Sequence, residues 1–168
     1  MAQVAQRAGR LGIKSKAVSL LSETNLAAIL EAAKACKPEL LILDSIQTVY
    51  HPELEGGAGT VGQVRACAAE LLRLAKSQGT VVFLLGHVTK EGMLAGPKVL
   101  EHLVDTVLHF EAEKSRELRF LRCNKNRFGP TSEIALFEMT ETGLKEVGDA
   151  FSYFEAERTG GSPAGRAI

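Results

Sequence analysis

The sequence predicts an α/β fold: a mostly parallel sheet flanked by helices, with an antiparallel β extension in the second half. Three observations carry this. Residues 39–44 and 80–85 are continuously apolar runs, the pattern of parallel strands buried on both faces. Between them Val61, Val64, Ala68, Leu71, Leu72 and Ala75 recur at helical spacing, which makes a βαβ unit with a right-handed crossover. Past residue 103 the period changes, and residues 104–110, 117–123 and 133–139 read as β-rich segments separated by turn residues.

Taken in order, Val4, Ala5, Ala8 and Leu11 mark a first helix that Gly12 stops. Residues 17–21 are a short strand candidate. Thr24 or Asn25 caps a second helix carrying Leu26, Ile29, Leu30 and Ala33, and Pro38 lies just past its end. The strand at 39–44 ends in Asp44, and the loop from His51 to Gly59 leads into the long amphipathic helix. The next strand ends at Gly86-His87, followed by a loop through Gly92 to Gly96. Asn124 to Pro130 forms a turn, and from residue 148 onward the composition is linker-like.

Composition narrows the function. The chain has 168 residues, with 20 Lys+Arg against 20 Asp+Glu and 45% hydrophobic residues, so it carries a real core and is not intrinsically disordered. Aromatics are 5% and Trp is absent, which argues against a stacking-platform single-strand binder. Three separated cysteines, Cys36, Cys67 and Cys123, fit neither a disulfide framework nor a zinc site, and suit a reducing cytoplasm. No apolar run reaches membrane-span length.

The chemical signal is Asp44 at the carboxyl end of LLILD, where open α/β sheets bind ligands and where phosphate-binding ATPases hold Mg²⁺, usually through water. A loop-capping Asp is the plainer alternative. The partner of such an Asp is a G-x-x-x-x-G-K phosphate loop, yet no Gly-Lys pair occurs in the chain. Gly57-Ala-Gly-Thr-Val-Gly62 matches G-x-G-x-x-G but does not follow a strand directly, so it is a loop and not a dinucleotide fingerprint. His87 and Thr89, at the end of the neighbouring strand, suit sensing of a γ-phosphate; a backbone-bonded histidine is the alternative. Lys90 suits phosphates of nucleotide or DNA. From Arg116 to Arg127 five cations face one acid, Glu117, and Arg127 suits a charge clamp on a transferring phosphoryl group. A solvated turn shaped by Asn126 and Gly129 explains the same residues structurally. His102 and His109 read as ordinary partly buried histidines, Glu101 and Asp105 lack a third metal ligand, and Ser45 lacks a His/Asp partner for triad chemistry.

Together, LLILDSIQTVY, AAELLRLAK, VVFLLGHVTKEG, GPKVLEHLVDTVLHFE and NKNRFGPTSEIALFEMTETGLKEV closely resemble the RadA (Sms) family of bacterial DNA repair proteins, in the same order to about Val147. The resemblance implies a RecA-like ATPase core over residues 1–147 that works as a hexameric ring on single-stranded and branched DNA, promoting branch migration with ATP and Mg²⁺. It places Asp44 as the Mg²⁺-linked aspartate, His87 as the phosphate sensor, and Ser45, Lys125 and Arg127 at the nucleotide. The last two lie in the Lys-Asn-Arg-Phe-Gly signature, which approaches a neighbouring subunit's nucleotide. The loops at 53–62 and 90–97 match the DNA-facing ones, with Lys90 and Lys98 as DNA contacts. The family's zinc module, phosphate loop and catalytic glutamate would precede Met1, and residues 148–168 would lead to a Lon-protease-like domain. The chain therefore reads as an internal piece, inactive alone. Without the phosphate-loop strand and helix, sheet surface of the buried type is expected to lie open. A non-catalytic RecA-like interaction module is the alternative, and a third reading is a small-molecule enzyme with a deep pocket at Asp44 and His87.

Overall fold

The computed structural model describes residues 2–87, 97–112 and 118–148. The chain divides into two compact units, one built on Ser15–Asp105, the other taking in Val4–Lys14 and the chain from Thr106 onward.

The first unit is a small parallel α/β layer. Helix α2 (Leu26–Cys36) starts at Asn25, whose side-chain oxygen accepts from the Ala27 amide at 2.9 Å. Just before it, the Glu23 carboxylate accepts the amides of Asn25 and Thr24, which holds its pKa below the ordinary value. Lys37 closes the helix in the left-handed region, so the chain turns into strand β1 (Leu40–Asp44) after Pro38. β1 pairs in parallel with β2 (Val81–Leu85), Leu40 opposite Val81 and Asp44 opposite Leu85. The crossover helix α3 (Val61–Gln78) buries Val64, Cys67, Ala68, Leu71 and Leu74. Leu26 and Ile29 of α2, Leu43, Ile46, Val49 and Leu100 complete that core. Each fully buried aliphatic side chain contributes roughly 1.5–3 kcal/mol.

Both strands are covered on one face only. Leu41, Leu43, Val82 and Leu84 pack toward the helices, whereas Leu40, Ile42, Val81, Phe83 and Leu85 are exposed. The two-sided burial expected for these runs is thus met on one side, and buried-type sheet surface lies open on the other. Residues 17–21 form no strand; Val18, Leu20 and Leu21 are exposed, and the segment's parallel contact comes later, as an isolated bridge between Asn25 and Tyr50. A strand needs a ladder partner as well as a suitable composition.

The second unit is a four-stranded antiparallel sheet in the order β3 (Thr106–Ala112), β4 (Leu118–Asn126), β5 (Ile134–Thr140), β6 (Gly143–Glu146). Its most buried side chains are Leu118 and Leu136. The β5–β6 turn requires Gly143: its φ is 121°, and a Cβ there would stand 2.7 Å from Leu11 beyond helix α1 (Ala2–Arg10). The antiparallel half is therefore as the sequence predicts, with β6 added. Of the linker read over residues 148–168, all but Gly148 lies outside the described residues.

Candidate nucleotide site and relatives

Parallel pairing in register sets Asp44 opposite Leu85, so the chain ends of β1 and β2 deliver Asp44 and His87 to the same carboxyl edge. His87 Nε2 lies 3.8 Å from Asp44 Oδ1, and the two side chains are 74% and 65% exposed. Among the described residues no backbone group caps the aspartate, and both side chains face solvent. Such an open face does not suit the deep-pocket small-molecule enzyme.

Two glutamines that sequence reasoning did not single out brace this edge and the loop after it. Gln47 donates from Nε2 to the His87 carbonyl at 3.0 Å and accepts the His87 amide at 3.4 Å, tying the end of β2 to the 3₁₀ turn that follows β1. Gln63 is 1% exposed and makes four hydrogen bonds to the 51–56 loop. It accepts the His51 amide at 2.7 Å and donates to the carbonyls of His51, Leu54 and Gly56. A polar residue on the buried stripe of α3, four before Cys67, was the available signal for Gln63. The loop over residues 51–56 is therefore anchored from inside the core.

Ser45 is buried, and its carbonyl accepts from the Thr48 amide and hydroxyl. The Asp44–Ser45 peptide is cis. Lys98 lies exposed in the 3₁₀ turn Pro97–Val99. Lys90, Thr89 and the loop at 92–96 lie outside the described residues. Lys125 and Arg127 belong to the second unit, at the end of β4 and in the turn beyond it. Among the described residues no three His, Cys, Asp or Glu side chains converge on a metal position. His102, read as partly buried, is exposed, because it lies in the turn after Leu100 rather than against the core. His109 is half-buried as expected, 4.0 Å from Glu111. Burial pushes the Cys67 thiol up to about 11, and its sulfur faces the Val49 carbonyl at 3.8 Å, the environment of an inert core cysteine. Among the described residues no helix is long and apolar enough to cross a membrane.

The AAA domain family matches residues 2–93, more than half of the chain and the whole of the Asp44–His87 edge. The chain belongs to the AAA domain family. The resemblance to RadA extends nearly end to end: the chain is 49% identical over 166 residues to the DNA repair protein RadA of Bacillus subtilis, covering 99% of this chain and 36% of that one. It is 49% identical over 152 residues to RadA of Pseudomonas aeruginosa, covering 90% and 34%. The chain thus spans about a third of the length of the RadA relatives it matches. A KaiC-like protein of Pyrococcus horikoshii shares the fold, with a TM-score of 0.62 and 17% identity over 87% of this chain and 70% of that one.

Proposed function

We propose that this chain is the part of a DNA-dependent repair ATPase that holds the Mg²⁺-linked acid, the phosphate sensor and the DNA-facing and subunit-facing loops. The observation that carries it is Asp44, exposed at the carboxyl end of a parallel strand with His87 beside it. Membership of the AAA domain family and likeness to proteins named for DNA repair support the same reading.

The residues present fit Mg²⁺-ATP on the acid side. When bound, the metal neutralises phosphate charge. Asp44 would hold it through water, with Ser45 adjacent. His87, its backbone clamped by Gln47, would report on the terminal phosphate. Lys125 and Arg127 would reach the nucleotide of a neighbouring copy in a hexameric ring, and Lys90 and Lys98 would contact single-stranded or branched DNA during branch migration in the cytoplasm. The phosphate cradle must come from outside these 168 residues, since they contain no Gly-Lys pair. In this reading residues 1–147 are a partial core, and its remaining strand and helix cover the open face of Leu40, Ile42, Val81, Phe83 and Leu85. Residues 148–168 lead toward a Lon-protease-like domain, and zinc belongs to a separate N-terminal module.

The test is Mg²⁺-dependent ATP hydrolysis. The 168-residue chain is expected to show none. In a protein of RadA length carrying this sequence, Asp44→Ala should depress DNA-stimulated turnover by about 100-fold or more, and Arg127→Ala should depress it as well. Normal turnover in the Asp44 variant would overturn the role of Asp44 at the metal, and no turnover in the unaltered protein of that length would overturn the ATPase reading and leave the interaction-module alternative.

A further inference from the structure

The most exposed large apolar side chain described is Phe128, at 80%, in the turn between β4 and β5. Its position is set by Asn126. The Phe128 amide donates to Asn126 Oδ1 at 3.2 Å, and Asn126 Nδ2 donates to the Pro130 carbonyl at 3.4 Å. Gly129 leaves room for that brace, because a Cβ there would lie 2.9 Å from Asn126 Nδ2. A phenyl ring kept in water on a braced turn costs solvation without adding to the core.

The surroundings narrow what the ring could meet. Residues 124–132 hold two cations, Lys125 and Arg127, and no acid, which suits a phosphate-bearing ligand. One phenyl ring buries roughly 150–250 Å², against about 1,200 Å² or more for a stable protein interface. Among its sequence neighbours 124–132 the one other large apolar side chain is that of Pro130. A lone ring is too little for a protein partner, yet it is enough to stack on one base.

We infer that Phe128 is a stacking contact for a nucleobase whose phosphates lie toward the cations of the same turn. The inference deepens the proposed function and rests on it: it names the ring as the group that reads the base, whether the base belongs to a DNA strand or to a free adenine nucleotide. It is a single contact and not the platform that the low aromatic content argues against.

The chain contains no Trp, so Phe128→Trp introduces a sole indole reporter. We would titrate this variant with oligothymidylate, with an abasic oligonucleotide of equal length, and with Mg-ATP. In parallel, anisotropy would compare the wild type, Phe128→Ala and Phe128→Leu on both oligonucleotides. The expected result is indole quenching by a base-bearing ligand and none by the abasic strand. Phe128→Ala and Phe128→Leu should lose about tenfold in affinity for oligothymidylate and nothing for the abasic strand. Quenching by oligothymidylate identifies DNA as the source of the base; quenching by Mg-ATP alone identifies the nucleotide. Wild-type binding to oligothymidylate that neither variant weakens, with no quenching by either base-bearing ligand, would overturn the stacking role and leave the DNA reading standing. Equal losses on both strands would also overturn it. Failure of the wild type to bind any of the three ligands would sink both. Quenching that rises with protein concentration alone would mark contact between copies and overturn the assignment.

Discussion

The Asp44–His87 edge and the Asn126–Pro130 turn both bring candidate site side chains to solvent, by different means. At the edge, position follows from long-range order: β1 and β2 pair in register, and α3 underlies them. At the turn, position follows from one side chain, Asn126, bonding within four residues of itself. The first arrangement should fail when the core fails and tolerate local surface change. The second should do the reverse.

The largest expected effect tests the first half of that contrast. Leu71→Ala removes a fully buried side chain from α3 and should cost about 3–4 kcal/mol by chemical denaturation, with loss of amide protection in β1 and β2. Leu118→Ala should cost a similar amount and act on β4. A cost below about 1 kcal/mol for Leu71→Ala would mean that α3 does not support the edge.

Gln63→Leu should come next. It keeps the volume but strands the His51 amide and three carbonyls, for about 2–3 kcal/mol. Hydrogen exchange at residue 51 should accelerate, while exchange at 126–130 stays as in the wild type. Unchanged exchange at 51 would show that the loop holds itself.

A third test uses pH. The Cys67 thiol is raised from 9.0 to about 11 by burial, so the folded state favours its protonated form. That stability is fully present below about pH 9 and is lost as pH rises through about 11, amounting to roughly 3 kcal/mol. Cys67→Ala should flatten this part of the pH–stability curve. In the same titration the exposed Cys36 should react with a thiol reagent at pH 8 while Cys67 does not. Reaction of Cys67 at the rate of Cys36 would show that the core under the edge opens readily.

Most of the elements were legible because their signals are local. The stripe of α3, the cap at Asn25 and the apolar runs of β1 and β2 each declare themselves within a few residues. Asp44 and His87 could be paired in advance because parallel strands end at one edge. One-sided burial was not legible from LLIL itself, which reads the same whether its second face is covered or bare; the open face was expected only through the resemblance, from the missing phosphate-loop strand and helix. The strand expected at 17–21 failed for want of a ladder partner, and β6 was passed over because Gly143–Glu146 is four residues long with a single large apolar residue, Leu144. Gln47 and Gln63 were missed for a different reason. Their side chains bond to backbone 40 and 12 residues away, and nothing near a glutamine in sequence announces a distant partner.

The smallest expected effect on stability is the sharpest test of the contrast. Gly129→Ala places a methyl where the Asn126 amide nitrogen now lies 2.9 Å away. The obstructing atom ends a short side chain, so Asn126 can swing aside, giving up its long bond to the Pro130 carbonyl for about 0.5–1 kcal/mol. The edge should be untouched, with exchange at β1 and β2 unchanged, whereas the exposed ring of Phe128 loses its fixed aim. A stability loss of several kcal/mol would mean that the turn, like the edge, is held from the core, and the distinction between the two sites would disappear.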